Sequence, residues 1–74
     1  MTITLVTWNV NSVRLRIDQV ARVVEETGAD VLCLQETKVT DPLFPLDACR
    51  AMGFAHAAHA GLKSYNGVAG LSRL

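Results

Sequence analysis

Ile3-Thr4-Leu5-Val6-Thr7-Trp8-Asn9-Val10 is a run rich in β-branched residues, with Ile3 and Leu5 on one face and Val6, Trp8 and Val10 on the other. Apolar on both sides, it predicts a buried strand. Val13, Ile17, Val20, Ala21 and Val24 then recur at helical spacing, with Asn11 or Ser12 available as N-cap and Gly28 placed to end the helix in a left-handed conformation. This predicts a helix over residues 13–27. Residues 30–35 are again short and apolar, and the order strand, helix, strand favours a right-handed crossover with the two strands parallel.

Working outward, Thr40-Asp41-Pro42 and Pro45 mark a loop, and residues 46–52 suit a short helix stopped by Gly53. Residues 55–60 and 68–74 read as two further strands joined by a turn containing Gly61, Asn66 and Gly67, which predicts a hairpin. No internal repeat, low-complexity tract or linker is visible. The sequence stops at Leu74 in or just after the last strand with nothing to cover that edge, and uncovered apolar edges are a liability. The expectation is therefore residues 1–74 as part of one domain whose C-terminal part is absent.

Seventy-four residues make one domain at most, and a chain of this size buries only about 60–65% of the surface it would expose unfolded. Half of the residues are hydrophobic and 19% charged, and the mean hydropathy is +0.26, which suits a core-building chain and excludes a disordered one. Seven basic side chains balance seven acidic ones, so no overall field attracts a nucleic acid, and any such binding rests on where individual cations sit. Cys33 and Cys49 form no CxxC pair, which argues against a zinc site or a disulfide framework and for reduced core thiols. There is no signal-peptide pattern and no apolar run of about 18 residues, so the expectation is a soluble, cytoplasmic chain without membrane contact.

Side chains alternate along a strand, so Glu36 is in phase with Leu32 and Leu34, and a carboxylate emerges from an apolar row. Ligands of α/β sheets bind beyond the carboxyl ends of the strands, and parallel pairing would bring Asn9 and Asn11 near Glu36 there. One carboxylate with amide oxygens and waters suits Mg²⁺ or Mn²⁺. By spacing alone, the same residues also read as ordinary polar strand ends. His56 and His59, three apart on a strand, face opposite sides and cannot easily share an ion. Ser64, Ser72 and Cys33 have no neighbouring base in the sequence, and Gly61 and Gly67 read as turn glycines.

Three segments, Trp8-Asn9-Val10-Asn11-Ser12-Val13-Arg14, Leu34-Gln35-Glu36-Thr37-Lys38 and Tyr65-Asn66-Gly67-Val68-Ala69, closely resemble in order and interval the N-terminal part of the exodeoxyribonuclease III family of apurinic/apyrimidinic endonucleases. Phe44-Pro45-Leu46 belongs to the same likeness, which runs from Ile3 to Arg73. The resemblance implies the fold of the endonuclease/exonuclease/phosphatase superfamily, a four-layered α/β sandwich of two mixed sheets, of which this chain supplies the first strands and helices. It implies Glu36 as the metal-binding glutamate, with Asn9 beside it in the metal and phosphate site. Asn11 would lie near the metal and Arg14 by the DNA backbone, while Lys38, Lys63, Tyr65 and Asn66 would lie on loops facing DNA. For Arg14 and Lys38 a solvated surface charge is the plain alternative.

The activity implied is Mg²⁺- or Mn²⁺-dependent hydrolysis of double-stranded DNA beside abasic sites and from 3′ ends, by a protein that is monomeric when complete. The family's other catalytic groups lie further along the chain, so no catalytic base is expected here and the 74 residues alone are expected to be inactive. Another phosphatase or phosphodiesterase of the superfamily, or a non-catalytic nucleic-acid-binding remnant, are the competing readings. Two departures stand out: Ser12 occupies a position where some relatives carry glycine, and Gly70 one where a larger apolar residue is usual.

Overall fold

The computed structural model describes residues 2–62 and 65–74. β1 (Leu5–Asn9), α1 (Ile17–Thr27) and β2 (Val31–Gln35) follow the predicted order, and β1 and β2 pair in parallel with Leu5 opposite Val31 and Asn9 opposite Gln35. A 3₁₀ turn at Asp41–Leu43 and α2 (Leu46–Ala51) lead into β3 (His56–Leu62) and β4 (Tyr65–Ser72). β4 enters the sheet antiparallel to β2, giving the mixed order β1-β2-β4-β3.

The register assigns each face of the sheet. Val6, Trp8, Leu32, Leu34, Ala69 and Leu71 share one face with Val20 and Val24 of α1, Cys49 of α2, and Phe44 and Phe54, and this forms the core. Covering that face excludes water from α1's apolar stripe, the main source of stability for an eleven-residue helix. The opposite face carries Leu5, Thr7, Asn9, Val31, Cys33, Gln35, Val68 and Gly70. Here a prediction is corrected: among the described residues β1 is the outer strand of the sheet, and Leu5 is 63% exposed and not buried, because the helices cover only the other face. The final strand is likewise no edge, since β4 lies between β2 and β3.

α1 starts at Ile17 and not at Val13. Asn11 (φ 48°) and Ser12 (φ 84°) are left-handed, so residues 13–16 form a turn, and the Ser12 hydroxyl accepts from the Leu15 N–H (3.4 Å) without capping the helix. Gly28 ends α1 as predicted, at φ 67° with its N–H bonded to the Val24 carbonyl.

Candidate active site

β1 and β2 end side by side, and both chains bend there into left-handed backbone. Among the described residues the non-glycine positions with positive φ are Asn11, Ser12, Glu36, Lys38 and Asn66, all at this corner. Main-chain hydrogen bonds tie the two bends together. Val10 N–H donates to the Gln35 carbonyl (3.0 Å) and Ser12 N–H to the Glu36 carbonyl (2.9 Å), extending the β1–β2 pairing past the strands.

The left-handed turn at Glu36 breaks the strand alternation, so its carboxylate does not continue the row of Leu32 and Leu34. It meets Asn9, whose Nδ2 donates to Glu36 Oε2. Lys38 Nζ donates to Asn11 Oδ1 at 2.6 Å and lies 3.7 Å from Glu36 Oε1. One carboxylate, two carboxamides and one ammonium thus form a single chain of contacts. The groups are partly exposed, so the ammonium–carboxylate pair contributes well under about 1 kcal/mol to stability and serves the site's electrostatics instead.

The donor set fits a hard divalent cation: Glu36 presents one carboxylate, the carboxamides of Asn9 and Asn11 supply neutral oxygens, and open solvent supplies the waters Mg²⁺ retains. No group of three or more His, Cys, Asp or Glu side chains gathers among the described residues.

The other predicted positions divide. Arg14 is exposed on the turn after Ser12, outside this chain of contacts. Tyr65 and Asn66 lie in β4 and not on a loop, and Asn66 touches the site through its carbonyl, which accepts from Lys38 N–H (2.9 Å). Lys63 lies outside the described residues. His59 serves packing: it stacks on Phe44 with ring centroids 4.2 Å apart, and its Nδ1 lies 3.0 Å from Asp41 Oδ1, while His56 is exposed on the opposite face.

Sequence reasoning missed Thr37, which is 1% exposed between Glu36 and Lys38, and misread Gly61 and Gly67, which lie within β3 and β4. The strands run closer to their junction than the turn residues suggested, through an irregular register between Ala60 and Leu62 and a left-handed Asn66-Gly67. No periodicity signals a threonine buried in a polar segment.

The family model for the endonuclease/exonuclease/phosphatase family matches residues 6–74. The exodeoxyribonuclease III of Haemophilus influenzae is 37% identical over 68 residues, 92% of this chain and 25% of that protein. Among solved structures, a 3′ phosphatase (NExo) from Neisseria bound to a product DNA hairpin is similar at 42% identity and a TM-score of 0.90, over 97% of this chain and 28% of that one. An AP endonuclease from Archaeoglobus fulgidus matches at 39% identity and a TM-score of 0.91, again over 97% and 28%. The chain spans about a quarter of the length of these relatives. Its strand-end motifs, mixed sheet and family match agree, and the chain belongs to the endonuclease/exonuclease/phosphatase family.

Proposed function

We propose that this chain carries the metal and phosphate end of a DNA-repair nuclease of the exodeoxyribonuclease III type, acting on double-stranded DNA at abasic sites and 3′ ends. The observation that carries the reading is the Glu36–Asn9 contact at the carboxyl ends of adjacent parallel strands, with Lys38 and Asn11 joined to it. Relatives described as an exodeoxyribonuclease III, a DNA-bound 3′ phosphatase and an AP endonuclease support the same substrate class.

Glu36, with the oxygens of Asn9 and Asn11, would hold Mg²⁺ or Mn²⁺. The chemistry such an ion supplies when bound is neutralisation of the scissile phosphate and of charge on the leaving oxygen. Asn9 orients the Glu36 carboxylate by donating to one of its oxygens, leaving the other turned toward Lys38. The Lys38 ammonium adds positive charge where a phosphate would approach, and exposed Arg14 offers a backbone contact further along the duplex. A base to activate water is absent from this cluster, so the 74 residues bind without turnover. In this reading they form part of a four-layered sandwich, in a cytoplasmic protein that is monomeric when complete.

The test is an incision and binding assay of the 74-residue chain on abasic-site and 3′-recessed duplexes, with Mg²⁺ or EDTA, alongside Mn²⁺ titration followed by electron paramagnetic resonance. The expected result is DNA binding without incision, weakened in Arg14→Ala, and Mn²⁺ binding at least tenfold weaker in Glu36→Ala. Incision abolished by Glu36→Ala would overturn the inactivity of the chain, and equal Mn²⁺ affinity in both proteins would overturn the role of Glu36.

A further inference from the structure

The segment bearing Glu36 is clasped from two sides. On the β1 side, Ser12 N–H donates to the Glu36 carbonyl (2.9 Å) and Val13 N–H to the Thr37 carbonyl (3.0 Å); on the β4 side, Thr37 N–H donates to the Gly67 carbonyl (3.2 Å) and Lys38 N–H to that of Asn66 (2.9 Å). Between the clasps Thr37 is buried, whereas its two left-handed neighbours keep their side chains partly in solvent.

Two missing side chains make room for this segment. A Cβ at Gly67 would collide with Thr37 Oγ1, and a Cβ at Gly61 would collide with the main-chain carbonyl of Val39. The two glycines also lie against each other, because a Cβ at Gly67 would reach the Gly61 Cα at 3.4 Å. Gly67 has φ 94°, which independently favours glycine, but Gly61 has no such backbone constraint, so its requirement is purely one of space. By contrast, nothing lies within 4 Å of a Cβ at Gly70 in the same sheet.

We propose that Gly61 and Gly67 are positioning residues for the Glu36 site. Their bare backbone forms a slot that seats Thr37 and the Val39 carbonyl, and this seating sets Glu36 against Asn9 and Lys38 against Asn11. A methyl group at either position lifts residues 37–39 and parts these contacts. The proposal rests on the reading of Glu36 as the metal-binding carboxylate for its functional meaning, but its geometry is testable without metal.

The experiment is ¹⁵N NMR of the 74-residue chain, following the Asn9 side-chain amide, whose free position is calibrated with Glu36→Ala. Gly61→Ala and Gly67→Ala should each move that signal more than halfway to the calibrated position in chains whose dispersed spectra show them folded, while Gly70→Ala leaves it in place. Adding Thr37→Ala to Gly67→Ala should return the signal at least halfway, since it trims the atom struck. The same addition to Gly61→Ala should return nothing, because the obstacle there is main chain. A wild-type Asn9 signal in folded Gly61→Ala or Gly67→Ala overturns the proposal. If neither glycine variant folds, Thr37→Ala alone decides: it empties the slot without crowding it, a displaced signal supports the seating and an unmoved one overturns it. Mn²⁺ added to the wild type separates the two readings. Broadening of the Asn9 signal that is absent with Glu36→Ala supports the metal role, and no broadening removes it while the shifts still decide the positioning.

Discussion

The helix-covered face of the sheet and the corner at the carboxyl ends of β1 and β2 are built from opposite materials. On the covered face, Leu32, Leu34, Leu71, Val20 and Phe54 are at most 1% exposed and sit in ordinary strand, helix and loop backbone with their side chains in the apolar core. At the corner, Asn9, Asn11, Glu36 and Lys38 are polar and partly wet, and four of the five positive φ angles at non-glycine positions among the described residues belong to Asn11, Ser12, Glu36 and Lys38. Left-handed backbone costs a non-glycine residue roughly 1–2 kcal/mol, so the corner subtracts from stability what the covered face supplies. The difference teaches that here fold and chemistry draw on separate residues, and each can be perturbed with the other left standing.

Substitution on the covered face should break that division most severely. Phe54→Ala empties a fully buried site that also carries the Arg73 guanidinium 5.4 Å from its ring centre, and should cost about 3–5 kcal/mol in urea unfolding, enough to unfold a chain of this size. A second probe uses pH. Burial pushes the Cys49 thiol pKa up, so the folded state keeps its proton where the unfolded chain would lose it. Stability from this source is complete below the ordinary thiol range and is lost as pH rises through the folded pKa, so unfolding midpoints should fall on the alkaline side in wild type and stay flatter in Cys49→Ala. A thiol reagent at neutral pH should label half-buried Cys33 first.

At the corner the sign reverses. Ser12→Gly removes a left-handed serine at the expense of one long hydrogen bond, and should raise stability by about 1 kcal/mol. Glu36→Ala should change stability by less than about 1 kcal/mol while abolishing the Mn²⁺ response, since its contacts are partly exposed. Gly70→Ala, on the open face with free space for a methyl group, should give the smallest gain, roughly 0.5 kcal/mol. A large loss from Ser12→Gly or Glu36→Ala would show that the corner holds the fold together after all.

The same division explains what could be read beforehand. Apolar, β-branched runs placed β1 and β2, helical recurrence of apolar residues placed α1, Pro45 and Gly53 bounded α2, and the order strand, helix, strand gave the parallel pairing of β1 with β2. Asn9 and Glu36 were legible as a pair because parallel strands of known order end together. The late start of α1 was not, since Asn11 and Ser12 cap helices as readily as they adopt left-handed turns. Nor was the insertion of β4 between β2 and β3, a tertiary choice to which both strands' patterns are indifferent. Thr37 and its two glycines escaped because a slot is a property of three segments at once.

The mixed sheet also implies an order in time. β3 and β4 close locally, with Leu62 opposite Tyr65, whereas β1 meets β2 across 26 residues, and β2 pairs Gln35 with Val68 across 33. Local hairpins form in about 1–10 μs and distant pairings must first meet their loop-closure entropy, so the corner that needs all three segments is completed last. Pulse-labelled hydrogen exchange should find amides between β3 and β4 protected before that of Ser12, and simultaneous protection would refute this order. A refolding chain that stops short would then lack Glu36's surroundings while already holding its hairpin.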